Sequence, residues 1–209
     1  MEIISHRGYW TGTAEKNTAG SFHRSFASGF GTETDIRDAA GKIVISHDPG
    51  SETDLELAEF LAIHASYNRS LPLALNVKAD GLQALLKAEI LRASPQDYFV
   101  FDMSVPDMLH YFELGVPVFT RQSDIEPSPV CYKEAAGVWL DTMRDDWLRA
   151  EHLNKIIGDG KRVCVVSPEL HGRSHLEMWE RLKDWGVQEQ QQVILCTDLP
   201  DDAQHFFNI

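Results

Sequence analysis

The chain has no apolar run long enough to cross a bilayer, so a helical membrane protein is not expected. Its start, Met1-Glu2-Ile3-Ile4, has neither a basic leader nor an apolar signal core, and the expectation is a cytoplasmic protein. Cysteine is scarce: Cys131, Cys164 and Cys196 are isolated, odd in number and without metal-ligand spacing. That argues against a disulfide framework or a zinc site, and for buried small hydrophobes in a reducing compartment. Positive charge is also in short supply. With 19 Lys and Arg against 32 Asp and Glu, the formal net charge is −13. Such a surface repels nucleic acid and anionic membranes, so any bound phosphate must be held by a local device. No linker, low-complexity tract or internal repeat is visible, and no Gly-rich dinucleotide loop follows the first apolar run.

What is present fits one globular domain spanning residues 1–209, with 43% hydrophobic and 24% charged residues. Short β-rich runs alternate with amphipathic ones. Strands are expected at Glu2 to Ser5, Thr32 to Arg37, Lys42 to Ser46, Pro72 to Lys78, Tyr98 to Asp102, Val116 to Thr120, Gly137 to Asp141, Arg162 to Ser167 and Val193 to Thr197. Helices are expected at Thr18 to Ser28, Asp54 to His64, Leu82 to Leu91, Pro106 to Leu114, Trp147 to Ile157 and Leu176 to Trp185. Asn17-Thr18, Thr53-Asp54 and Ser104-Val105-Pro106 mark helix starts. If the second and third strands form a hairpin around Asp38-Ala39-Ala40-Gly41, eight strand positions result. The repeated βα order then implies a parallel sheet, closed as a TIM-type (β/α)8 barrel, with an open doubly wound sheet as the rival.

The chemistry-bearing residues gather at strand ends in the first quarter of the chain. Glu33 and Asp35, two apart on a strand, share one face. Two carboxylates turned into a barrel mouth need a compensating charge, most simply a divalent cation. Oxygen-only ligation favours Mg²⁺, Ca²⁺ or Mn²⁺ over zinc. His6 follows the first strand and His47 follows the hairpin, and a pair of imidazoles can divide the roles of acid and base. His6-Arg7 adds a guanidinium for a phosphate's charge.

His6-Arg7-Gly8, Glu15-Lys16-Asn17-Thr18 before Phe22, Gly29 before Glu33-x-Asp35, and Val44-Ile45-Ser46-His47-Asp48 together resemble the glycerophosphodiester phosphodiesterase family. The detailed likeness covers about the first fifty residues. It continues more weakly through Leu75-Asn76-Val77-Lys78, Phe101-Asp102 and Ile194 to Pro200. The resemblance implies a TIM barrel holding one divalent cation, Mg²⁺ or Ca²⁺, and hydrolysing a small phosphodiester to a phosphomonoester such as glycerol 3-phosphate and an alcohol. It implies that His6 and His47 are the acid and base pair, that Arg7 holds the phosphate and that Glu33 and Asp35 bind the metal. A hydroxyl of the glycerol unit would attack phosphorus, a cyclic phosphate would form, and water would open it. Neither nucleic acid nor membrane insertion belongs to this picture.

Two departures accompany the resemblance. Where the family carries a third carboxylate in a Glu-x-Lys segment, this chain reads Asn76-Val77-Lys78. By that match Asn76 would be a metal ligand that brings no charge, and Lys78, on the same face, either a phosphate contact or the ion-pair partner of a neighbouring carboxylate. Glu15, Asp141 and Glu169 are further metal candidates; Glu15 is alternatively an orienter of Arg7, and Asn17 is read as a helix cap. Only Pro49 to Leu71 separates His47-Asp48 from the next strand, so an open mouth is expected. Ser167-Pro168-Glu169-Leu170-His171-Gly172-Arg173 is read either as a substrate-contacting loop or as an ordinary surface loop. The alternatives are a diester within a surface polymer or its precursor, and a phosphate-binding barrel without turnover.

Overall fold

The computed structural model describes residues 1–209. Its strands are β1 (Glu2–His6), β2 (Gly31–Ala39), β3 (Lys42–Ile45), β4 (Leu73–Val77), β5 (Tyr98–Phe101), β6 (Phe119–Ser123), β7 (Gly137–Asp141), β8 (Arg162–Val166) and β9 (Val193–Thr197). The helices are α1 (Ala19–Ala27), α2 (Leu57–Ala65), α3 (Gln83–Ala93), α4 (Val105–Glu113), α5 (Ala150–Gly158), α6 (Leu176–Asp184) and α7 (Pro200–Phe207). The sheet order is β5-β4-β2-β1-β9-β8-β7-β6, with β3 antiparallel on β2. Apart from β3, neighbours in sequence are neighbours in the sheet, and the order wraps from β1 to β9 instead of reversing as in a doubly wound sheet. Ahead of β6, Val118 bridges Val100 of β5 in parallel. The fold is therefore a single α/β barrel of the TIM type, with the β2–β3 hairpin filling one strand position. No helix is long and apolar enough to cross a membrane.

Within the chain, Ser5–Val118 form one packing unit and Met1–Ile4 with Phe119–Ile209 form another. In the first, β4 lies parallel between β2 and β5, and the register sets Asp35 beside Asn76. β2 and β3 turn through Ala40 and Gly41, at φ 47° and 80°. Two successive left-handed residues are what a two-residue hairpin requires, and glycine supplies the second without strain. α1 and α2 pack through aromatic rings, Phe22 on Phe60 at 4.7 Å and Phe26 on His64 at 5.0 Å. Burying each phenyl ring stabilises this face by roughly 1.5–3 kcal/mol. In the second unit β6, β7, β8 and β9 run parallel. β9 and all of β8 beyond Arg162 are buried, the continuous apolar reading that a sheet covered on both faces produces. Cys164 and Cys196 lie there as free, buried thiols. Trp179 of α6 is buried with its indole N–H donating to Ser167 Oγ at 2.8 Å, and Phe206 and Phe207 of α7 pack against its ring.

Three elements begin later than expected, each for a local reason. β6 begins at Phe119, not Val116, because Pro117 has no N–H to give a ladder; its carbonyl accepts from Val100 N, and the segment makes only a bridge. α2 begins at Leu57, not Asp54: Leu55 O accepts from Ile45 N and Glu56 bridges Val44, so those residues extend the hairpin before the helix starts. α5 begins at Ala150, not Trp147, whose indole N–H is drawn to Asp141 O at 2.8 Å. α7 was not expected at all. Its signals are Pro200 at the first helical position and Asp201 and Asp202 in the first turn.

Candidate active site

All of the site residues carried by the family motifs fall within the unit Ser5–Val118. At the end of β1 the backbone turns sharply, with Arg7 at φ 59° and Gly8 at φ 83°. The turn is fastened to β2: Arg7 N donates to Glu33 O at 2.9 Å and Gly8 N to Thr32 Oγ1 at 3.0 Å. A Cβ on Gly8 would lie 2.3 Å from Ser21 Oγ, so only glycine lets α1 approach this closely. The His-Arg-Gly sequence is thus a device that brings an imidazole and a guanidinium to Glu33 and Asp35 of β2.

β2 presents Glu33 and Asp35, both essentially inaccessible to solvent. Arg7 Nε lies 2.8 Å from Asp35 Oδ2 and Lys78 Nζ lies 3.5 Å from Asp35 Oδ1. His6 Nε2 is 3.9 Å from Glu33 Oε2. Burial, and after it the Asp35 charge, push the Glu33 carboxyl up to about 8, although Arg7, Lys78 and the Asn76 amide pull the other way. Lys78 follows β4 and also lies 3.8 Å from Asp102 Oδ2. The structure therefore brings His6, Arg7, Glu33, Asp35, Asn76 and Lys78 together.

His47 stands further out. Its predecessor Ser46 donates its N–H to Asp35 O at 3.1 Å, which ties the residue's backbone to the same rim. The His47 side chain is 51% exposed, with Nδ1 3.0 Å from Asp48 Oδ1. The ring is open to solvent and to a bound ligand. Glu15 is engaged elsewhere, accepting from Thr11 N, Thr11 Oγ1 and Arg24. The hydrogen bonds from Thr11 hold its carboxyl below the ordinary range.

The buried oxygens decide whether a hard cation fits. Asp35 Oδ1 and Asn76 Oδ1 are buried acceptors without a hydrogen-bond partner, and with Glu33 they make an oxygen-only set of two carboxylates and one amide. That set suits Mg²⁺, Ca²⁺ or Mn²⁺ in chemistry. No group of three or more His, Cys, Asp or Glu side chains is spaced for a metal, so the amide is integral to the fit.

Asn17 does not cap α1. Thr18 does so, accepting from Ser21 N at 3.3 Å. Asn17, at φ 59°, donates Nδ2–H to Asp35 Oδ2 at 2.9 Å, accepts from Thr34 Oγ1 at 2.9 Å and gives its backbone N–H to Arg7 O at 2.9 Å. It is a positioning residue that periodicity could not reveal. Asp102 is a second residue of this kind, left-handed at φ 68° just after β5. A strained non-glycine residue at a strand end is a recurrent mark of functional loops.

The remaining candidates belong to the unit containing Phe119–Ile209. Asp141 Oδ1 lies 2.6 Å from His171 Nε2, and this hydrogen bond raises the imidazole above its ordinary range against the effect of burial. Glu169 accepts from Ser167 Oγ, Thr197 Oγ1 and Asp198 N. Arg173 donates to Thr142 O and Thr142 Oγ1. The loop after β8 is braced by its own side chains, and both carboxylates already have partners.

No family model matches the chain, and no curated protein matches it in sequence. Solved structures do. An Oleispira antarctica phosphodiesterase in complex with the product sn-glycerol-3-phosphate is 17% identical, with TM-score 0.69, over 100% of this chain and 97% of that one. A glycerophosphodiester phosphodiesterase from Agrobacterium tumefaciens is also 17% identical, with TM-score 0.69, over 99% and 98%. A glycerophosphoryl diester phosphodiesterase from Parabacteroides distasonis is 14% identical, with TM-score 0.71, over 99% and 86%. The chain has, over essentially its whole length, the fold of the glycerophosphodiester phosphodiesterases whose motifs its sequence resembles.

Proposed function

We propose that the chain is a cytoplasmic, divalent-cation-dependent phosphodiesterase that cleaves a glycerophosphodiester to glycerol 3-phosphate and an alcohol. One observation carries this reading: on β1, β2 and β4 and just beyond the ends of β1 and β4, His6, Arg7, Asn76 and Lys78 gather about the buried carboxylate pair Glu33 and Asp35. The fold shared with three phosphodiesterases supports it.

Glu33, Asp35 and Asn76 would hold Mg²⁺ or Ca²⁺. When bound, the cation polarises the attacking hydroxyl and offsets charge on the phosphoryl oxygens. Arg7 and Lys78 present a guanidinium and an ammonium to the phosphate, whose single negative charge needs them in a chain of net charge −13. One imidazole of the pair His6 and His47 takes the proton of the adjacent glycerol hydroxyl as its oxygen bonds to phosphorus. The other protonates the alcohol oxygen as its bond to phosphorus breaks. With the two roles exchanged, water opens the cyclic phosphate and yields the monoester. Asn17 keeps Asp35 aimed and the Arg7 backbone fixed, so the cation and phosphate would meet at a set position.

His6→Ala and His47→Ala are each expected to lower kcat/KM for a glycerophosphodiester by at least about a hundredfold, in line with the loss of a general acid or base. Turnover surviving in the double variant would remove both histidines from the mechanism. A barrel that binds phosphate ligands without turnover is the second reading, favoured by the neutral Asn76. It is expected to take up glycerol 3-phosphate while leaving diesters intact.

A further inference from the structure

Asp35, the most buried carboxylate of the site, is already occupied by two cations of the chain itself. Arg7 Nε stands 2.8 Å from one of its oxygens and Lys78 Nζ 3.5 Å from the other, while Asn17 donates to the first at 2.9 Å. A metal ion approaching Asp35 Oδ1 must move the Lys78 ammonium aside or share the oxygen with it. It also meets an amide at Asn76, which offers an oxygen but no charge to repay the metal's lost hydration. Lys78 has a second carboxylate within reach, Asp102 Oδ2 at 3.8 Å, but Asp35 keeps no anionic oxygen clear of a cation.

A phosphate group changes this balance. Its oxygens give Arg7 and Lys78 anionic partners of their own, which draws both away from Asp35. A phosphate oxygen also supplies an anionic ligand where Asn76 supplies none. Each effect favours the cation, and the cation in turn favours the phosphate by placing positive charge beside it.

We propose that the chain binds its divalent cation and its phosphate ligand interdependently: the metal-free site is closed on itself by Arg7 and Lys78, and each ligand opens it for the other. The proposal rests on the phosphodiesterase reading and adds to it an interdependence set by Lys78 and Asn76. Linkage requires the enhancement to be the same in both directions.

The test is a titration of the purified, chelator-stripped full chain with Mn²⁺, followed by the loss of the free-ion paramagnetic resonance signal, with and without saturating sn-glycerol 3-phosphate. A titration of Mn²⁺ into glycerol 3-phosphate alone corrects for their association in solution. Mn²⁺ affinity is expected to rise at least about tenfold in the presence of glycerol 3-phosphate, and glycerol 3-phosphate affinity to rise by the same factor with Mn²⁺, within the range of ordinary coupling between sites. Lys78→Met, at a side chain only partly buried, and Asn76→Glu are each expected to tighten Mn²⁺ binding without any phosphate and to reduce the enhancement. If both ligands bind the wild-type chain but neither affects the other, the interdependence is overturned while the phosphodiesterase reading stands. Unchanged Mn²⁺ affinity in both variants, with the enhancement intact, overturns the assignment to Lys78 and Asn76. If neither ligand binds in any combination, the phosphodiesterase reading fails and the interdependence fails with it.

Discussion

Single residues explain why the motifs are spaced as they are. As candidates, His6, Arg7 and His47 were legible because each ends or follows a strand, and Glu33 and Asp35 because residues two apart on a strand share a face. Asn17 and Asp102 lie in the quoted motifs, but their roles were not legible, because their distinguishing property is a positive φ in a non-glycine residue, which leaves no trace in hydrophobic periodicity. Since glycine tolerates the left-handed backbone at Asn17, Asn17→Gly removes the amide while keeping the turn. It is expected to lower kcat/KM by about tenfold, the loss of one charge-assisted hydrogen bond, with unchanged far-UV circular dichroism. Gly8→Ala adds a Cβ 2.3 Å from Ser21 Oγ at a φ of 83°. Overpacking and backbone strain together are expected to cost about 2–4 kcal/mol in urea denaturation. A stability within about 0.5 kcal/mol of wild type would show that α1 can shift to admit the methyl group.

Among the elements, central buried strands were read almost to the residue, because continuous apolar runs bounded by turns leave little freedom. The mistakes fell where backbone hydrogen bonding overrides side-chain pattern: Pro117 delays β6, and Leu55 and Glu56 continue the hairpin instead of opening α2. α2 carries a pH-sensitive contact. His64 is buried, its Nε2 lies 3.0 Å from Leu71 O, and burial lowers its pKa below 6.5. A base depressed on folding contributes stability that is present above its unfolded pKa and lost as pH falls through the folded value. Stability is therefore expected to decline below about pH 6.5 in part through His64. His64→Gln, which keeps a donor for Leu71 O, is expected to flatten that decline in denaturation midpoints measured between pH 5 and 8. An equally steep decline in the variant would assign it to other groups.

For the molecule as a whole, the alternation of β-rich and amphipathic runs was enough to give the barrel, and sheet order supplied what composition could not, the wrap from β1 to β9. The candidate site was legible in the first fifty residues and less so afterwards, because Asp141 and Glu169 look the same in sequence whether their carboxylates are free or, as here, hydrogen-bonded to His171, Ser167 and Thr197. Function follows from the buried pair Glu33 and Asp35 only if a cation and a phosphate are brought together there. The direct measurement is ³¹P nuclear magnetic resonance of a glycerophosphodiester incubated with the purified chain and Mg²⁺ or Ca²⁺. The diester resonance is expected to give way to that of glycerol 3-phosphate, to persist when EDTA is present, and to convert again once the cation is restored in excess. A diester resonance that stays unchanged with either cation would contradict the assignment.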